Sequence, residues 1–176
     1  YNKALKEYKK ANNIDSELEN IHYKLGITHY FLGDEENAII ELDIAKRESP
    51  DNLKTYQLLV AIYIKQNKIE KAEDVFMEAV GVNKESKITD DIFDPIHNYY
   101  FEEGMMFIGL EDYANAEKSF KRINNLQPSI STYKWLMLIA NNQKDYEKSI
   151  SFFNEAESLN LEEEQGLSVL YNNKGY

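Results

Sequence analysis

The sequence predicts an all-α fold of antiparallel helix hairpins stacked one on the next, and three observations carry the prediction. Two stretches, "LGDEENAIIELDIAKRESP" (Leu32 to Pro50) and "LEDYANAEKSFKRINNLQP" (Leu110 to Pro128), share Leu first, Asp third, Ala seventh, a large apolar residue eleventh and Pro last. The residues between hardly agree. Laying Ala38 over Ala72, Ala116 and Ser149 then aligns most of the chain at spacings of 34, 44 and 33 residues, with Ala4 in the same place near the start. A period in the thirties is the mark of stacked helical pairs. Finally, 7 Gly and 3 Pro in 176 residues leave little material for the turns of an all-β fold, although the 43% apolar content is ordinary for a soluble protein.

The second helix of each hairpin follows from the aligned positions. Four residues after the first small residue stands a large apolar one, Tyr8, Leu42, Phe76, Phe120 or Phe153, and three further on a second small one, Ala11, Ala45, Ala79 or Ala156, with Ile123 the exception. Spacings of four and then three place all of them on one face of a helix. A small, large, small stripe lets helix axes approach to about 8 Å while the large side chain fills the facing groove.

Upstream of each stripe lies the first helix: Ile21 to Leu32, Thr55 to Lys65, His97 to Leu110 and Tyr133 to Gln143. The connection to the stripe helix is so short that the pair must fold back on itself. Gly33 supplies the positive φ that ends a helix, and Asn67 stands in for it in the second hairpin. Pro50 and Pro128 end the stripe helices, since a proline there lacks the backbone donor and does not fit the preceding turn. Ten extra residues, Lys87 to Ile96, read as an insertion between the second and third hairpins. Within it Asp94 and Pro95 read as the N-cap and first residue of a helix that starts early.

These residues resemble the tetratricopeptide repeat, whose signature is W-x2-L-G-x2-Y, then A-x3-F-x2-A, then P. Repeat one (19–52) offers His22, Leu25, Gly26, His29, Ala38, Leu42, Ala45 and Pro50, and repeat two (53–86) offers Tyr56, Leu59, Val60, Tyr63, Ala72, Phe76 and Ala79, with Lys84 in place of Pro. Repeat three (97–129) offers Tyr100, Gly104, Phe107, Ala116, Phe120 and Pro128, with Glu103 in place of the usual Leu. Repeat four (130–163) is the loosest, with Tyr133, Leu136, Ala140, Ser149, Phe153 and Ala156. Residues 1–18 match the second helix of a partial repeat and 164–176 the start of a further one, so the chain reads as a piece of a longer array. The resemblance implies a right-handed superhelical α-solenoid.

Composition narrows the function. A net charge of −11 with scattered basic residues argues against nucleic acid and anionic lipid, both of which need Lys/Arg clusters. The longest fully apolar run, Leu58 to Ile64, is far short of the roughly 20 residues of a membrane helix. Without cysteine there is no disulfide framework or thiolate zinc site, and the compartment stays open, a cytoplasmic one being favoured. His22 and His29 share a helix face seven residues apart, but helical ligand pairs are usually four apart, and both hold core places of the repeat. Asp90, Asp91 and Asp94 lack the glycine and closing Glu of a calcium loop, and the Glu162 to Glu164 run reads as a solvated connector. No phosphate loop, nucleophile elbow or H-E-x-x-H motif is present, so no catalytic residue, metal or cofactor is expected.

What remains is binding of another protein. The resemblance implies that positions two, five, nine, twelve and thirteen of each repeat line a concave groove. The candidates are Tyr23, Ile27, Tyr30, Phe31, Gln57, Ile64, Phe101, Met105, Ile108, Lys134 and Leu138, taking a peptide or amphipathic helix of the partner. Lys54 and Lys65 fall at groove positions as well. Some family members clamp a C-terminal carboxylate with Lys, Asn and Arg at defined groove places, where Tyr23, Ile27, Asn98 and Glu102 stand instead, so such a clamp is not expected. Two rival readings stay open: a regulatory array within a larger enzyme or signalling protein, and a binder of polysaccharide or small molecules. Ends cut within a repeat expose apolar surface, so the piece is expected to loosen at both termini or to stack end to end with a second copy.

The small residues expose this architecture to a direct test. Ala72→Leu forces extra methylenes into the seam and should destabilise the protein by about 1 to 3 kcal/mol, whereas Lys71→Leu on the outer face should leave the melting temperature nearly unchanged. Thermal unfolding followed by circular dichroism separates the two.

Overall fold

A computed structural model describes residues 1–15, 18, 20–84 and 86–159. Among them the fold is all-α: α1 (Asn2–Ile14), α2 (Ile21–Phe31), α3 (Glu35–Glu48), α4 (Leu53–Lys65), α5 (Ile69–Asn83), α6 (Lys87–Gly109), α7 (Tyr113–Leu126), α8 (Ile130–Asn142) and α9 (Tyr146–Ser158). The chain divides into two compact units, one from Tyr1 to Ile96 and one beginning at His97, and α6 gives its first part to the first and its second part to the other. The Glu162 to Glu164 run and the expected start of a further repeat at 164–176 lie outside the described residues.

The hairpins α2/α3, α4/α5, α6/α7 and α8/α9 close through one backbone motif. The residue at the turn has positive φ in all four: Gly33 (78°), Asn67 (56°), Glu111 (57°) and Lys144 (61°). The next residue donates its N–H back five residues, to His29, Tyr63, Phe107 and Ala140, at 2.9 to 3.0 Å, and the turn residue itself donates back three, to Tyr30, Ile64, Ile108 and Asn141. This pair of bonds is the Schellman arrangement, which satisfies carbonyls left orphaned at a helix end. Glycine and asparagine suit the left-handed region, whereas Glu111 and Lys144 are held there against their Cβ sterics.

The Asp shared by the two nineteen-residue stretches caps the stripe helix. Asp34 accepts from the Asn37 backbone N–H, Asp112 from that of Asn115 and Asp145 from that of Lys148, at 3.1 to 3.3 Å. The Asn37 side chain and backbone, with the His29 ring 2.9 Å away, hold the Asp34 carboxyl below the usual carboxylate range.

Packing follows the stripe. Ala38, Leu42, Ala72, Ala79, Ala116, Phe120 and Ala156 are fully buried, and Ala45, Phe76, Ile123, Ser149 and Phe153 nearly so. In the α2/α3 and α6/α7 hairpins the helices come close enough that glycine is required opposite the large stripe residue. A Cβ on Gly26 would stand 2.7 Å from Leu42 Cγ, and one on Gly104 2.7 Å from Phe120 Cε2. Ion pairs then link successive stripe helices at their rims, Lys46 with Glu78 and Lys148 with Glu117, both at 2.7 Å. On α1, by contrast, no residue is buried.

One sequence expectation needs correction: the helix starts earlier than Asp94, and Asp94 and Pro95 are not its N-cap and first residue. Pro95 lies inside α6, which begins at Lys87, where the Ser86 hydroxyl accepts from the Ile88 N–H at 3.3 Å. An interior proline costs roughly 3 kcal/mol, but Ile92, Phe93 and Ile96 are all buried, and each such side chain contributes about 1.5 to 3 kcal/mol. Burial outweighs the lost hydrogen bond, so the helix runs through.

The histidines serve the fold. His29 is buried and bonded to Asp34, while half-buried His22 has Nδ1 2.7 Å from Glu41 Oε2. Among the described residues no group of three His, Cys, Asp or Glu side chains is placed to hold a metal ion, and no helix is long and apolar enough to cross a membrane.

Ser149 stands where the other three hairpins have Ala38, Ala72 and Ala116, and its buried hydroxyl oxygen has no hydrogen-bond partner among the described residues. Ser149→Ala should therefore stabilise the protein by about 1 kcal/mol, read as a raised midpoint in urea at unchanged slope. A lowered midpoint would show that the hydroxyl is satisfied after all.

Candidate functional site

The first helices of the hairpins carry the candidate surface because their other faces are committed to the stripes. In the first unit, residues of α2, α4 and the beginning of α6 surround a hollow of about 420 Å³. Two rows cross its wall at an even pitch in the sequence. Tyr23, Gln57 and Asp91 lie 34 residues apart, and so do Ile27, Ala61 and Pro95. Leu58 completes the apolar floor, and Tyr30, Phe31 and Lys54 stand around it.

Tyr30 and Phe31 are held by neighbours. The Lys65 ammonium sits 5.7 Å from the Tyr30 ring centroid, and its position is fixed by Glu35 at 2.7 Å. Phe31 meets Tyr30 edge-on at 5.6 Å and stacks on Tyr1 at 4.8 Å, yet it remains 55% exposed. Rings fixed in this way lose little entropy when something docks on them. Burial pushes the Tyr23 phenol above its ordinary pKa, so it stays a neutral hydroxyl, able to donate and accept.

Among the described residues of the second unit, two smaller hollows share Trp135. One, about 250 Å³, is bounded by His97, Phe101, Phe120, Ile123, Ser131, Thr132 and Trp135. The other, about 330 Å³, is bounded by Ser131, Lys134, Trp135 and Leu138. Trp135 stacks on Phe120 at 5.5 Å, and Phe101 meets both rings edge-on at 5.8 Å. Glu103, which replaces the usual Leu of the repeat, accepts from the Ser119 hydroxyl at 2.7 Å, so the exchange leaves its carboxylate paired.

Of the residues expected to line a groove, the structure brings Tyr23, Ile27, Tyr30, Phe31 and Gln57 together around the first hollow, and Lys134 and Leu138 together around one hollow of the second unit. Phe101 borders the neighbouring hollow. Ile64, Met105 and Ile108 border none of these hollows; Ile64 and Ile108 are half-buried and Met105 is partly exposed. Sequence reasoning missed Leu58, Asp91, Pro95 and Trp135. For Asp91 and Pro95 the signal was present, since the 34-residue pitch of the first two repeats continues unbroken to them. Reading Lys87 to Ile96 as an insertion between the hairpins concealed it. Chemically, aromatic and aliphatic walls interrupted by hydroxyls, an amide, a carboxylate and an ammonium suit an apolar side chain carried on a polar backbone.

Comparison with protein families gives two matches, one described as a TPR repeat over residues 1–33 and one as a tetratricopeptide repeat over residues 53–86 and 97–130, together more than half of the chain. A search of curated proteins found no match. Among solved structures, a tetratricopeptide repeat protein from Parabacteroides merdae is 18% identical, with 98% of this chain and 77% of that one aligned and a TM-score of 0.48. The MamA fragment 41-end from Desulfovibrio magneticus is 17% identical over 93% and 87% of the two chains, at 0.46. YrrB, described as a TPR protein with an unusual peptide-binding site, is 17% identical over 96% and 82%, at 0.45.

Gly104 controls the aromatic cluster of the second unit. Gly104→Ala places a methyl in the path of the buried Phe120 ring and should cost about 1 to 3 kcal/mol. Because Trp135 is the only tryptophan and stacks on Phe120, the same variant should shift its emission maximum and change the near-ultraviolet circular dichroism. Unaltered spectra and stability would refute the close approach.

Proposed function

The chain belongs to the tetratricopeptide-repeat family, and on that premise we propose that it is a non-catalytic scaffold that binds a peptide or amphipathic helix of a partner protein along its first helices. The supporting observation is the hollow of the first unit, where aromatic residues pinned by their neighbours stand beside an apolar floor with polar groups spaced along it. Such a surface binds by burying a few apolar anchors, while the polar groups set register. The protein's net charge of −11 favours encounter with a basic or neutral partner segment over an acidic one.

The second unit contributes a separate aromatic contact through Phe101 and Trp135, with Lys134 at its edge. Two anchor sites on one chain let a partner with two motifs bind more tightly than either motif alone.

Affinity capture from an extract of the source cells, followed by calorimetry with the recovered partner, tests the reading. Tyr30→Ala and Phe101→Ala should each weaken binding by about 1 to 3 kcal/mol. Because Phe101 also packs on Phe120, its variant is compared at a temperature well below its own melting point. Unchanged affinity for both variants would move the docking surface to another face of the protein.

A further inference from the structure

We infer that the hollow of the first unit takes a peptide whose apolar anchor is flanked by a basic residue on one side and an acidic residue on the other; this rests on the groove-binding reading above. The groups that recognise the flanks are Asp91 and Lys54. Both border the same hollow, and among the described residues neither side chain makes a hydrogen bond or ion pair, with the other or with anything else. Two other lysines of this unit are paired internally, Lys46 with Glu78 and Lys65 with Glu35.

Asp91 belongs to an unusual corner. Pro95 lies four residues on in the same helix and has no N–H, so it cannot donate to the Asp91 carbonyl as a helical residue would. The corner therefore offers a carboxylate and a carbonyl deprived of its regular helical donor, and it calls for a donor-only group such as a lysine ammonium or an arginine guanidinium. The Lys54 ammonium has three N–H donors and no acceptor, and it calls for a carboxylate. Lys54 stands on α4 and Asp91 on α6, and Ile27, Leu58 and Ala61 border the same hollow and receive the anchor. Flanking charges of this kind set the direction and choice of peptide more than they raise affinity.

A random dodecapeptide library displayed on phage and panned on the purified 176-residue chain tests the inference. Enriched peptides should share an apolar residue with Lys or Arg on one flank and Asp or Glu on the other. By fluorescence anisotropy with one such peptide, Asp91→Asn and Lys54→Gln should each raise the Kd about two- to fivefold. Panning on the double variant Lys54→Glu/Asp91→Lys should reverse the order of the flanking charges. Both side chains are exposed, and circular dichroism should confirm unchanged folding of the variants. Peptides that lose affinity on Tyr30→Ala but show no charge pattern and ignore the Asp91 and Lys54 variants would overturn the inference and leave the groove reading standing. Peptides insensitive to Tyr30→Ala, or no enrichment at all, would overturn both.

Discussion

The closeness of the two helices within a hairpin is the constraint on which the rest of the structure depends. Where Gly26 faces Leu42 and Gly104 faces Phe120, the gap will not admit even a methyl group. That spacing makes the small residues of the stripe obligatory, lets a single large side chain per hairpin fill the groove, and turns the opposite face of each first helix outward. The candidate binding surface is thus a by-product of packing. Residues such as Tyr23 and Ile27 line a hollow because their helical neighbours Leu25, Gly26 and His29 are committed to the interior.

Sequence pattern revealed the parts of this design that rest on side-chain size. The stripe positions are interior as expected, from Ala38 through Ala156, because periodic size and polarity report directly on burial. Gly33 and Asn67 were legible as turn residues because their types favour positive φ. Glu111 and Lys144 were not, since neither residue type marks the left-handed region and both are held there by the two backbone hydrogen bonds of the turn. The hollow was legible where the repeat frame was followed and lost where a proline was given more weight than the pitch. Pro95 suggests a helix start, yet the buried Ile92, Phe93 and Ile96 decide the matter. Trp135 was missed because its place in the repeat is not one of the implied groove positions.

Electrostatics in this acidic molecule are arranged locally. Burial works against the charged form of Glu117, but hydrogen bonds from Lys148 and Lys121 prevail and hold its carboxyl below the usual range. Lys65 and Gln66 likewise lower the Glu35 carboxyl. Glu117 thereby ties the second helices of neighbouring hairpins, and Glu35 ties the end of one first helix to the start of the preceding stripe helix. Lys65 shows how a structural charge can serve a surface, since the ammonium that pairs with Glu35 also steadies the Tyr30 ring.

The four turns between paired helices have a consequence of another kind. Each is closed by main-chain donors and acceptors, and the residue at its tip is a glycine, an asparagine, a glutamate or a lysine without any change in the bonds made. A joint so indifferent to its own spelling places almost no demand on inheritance. Gene segments encoding one hairpin can be duplicated, dropped or exchanged, and their letters can drift, while the fold line at each joint is kept by chemistry that every amino acid but proline carries.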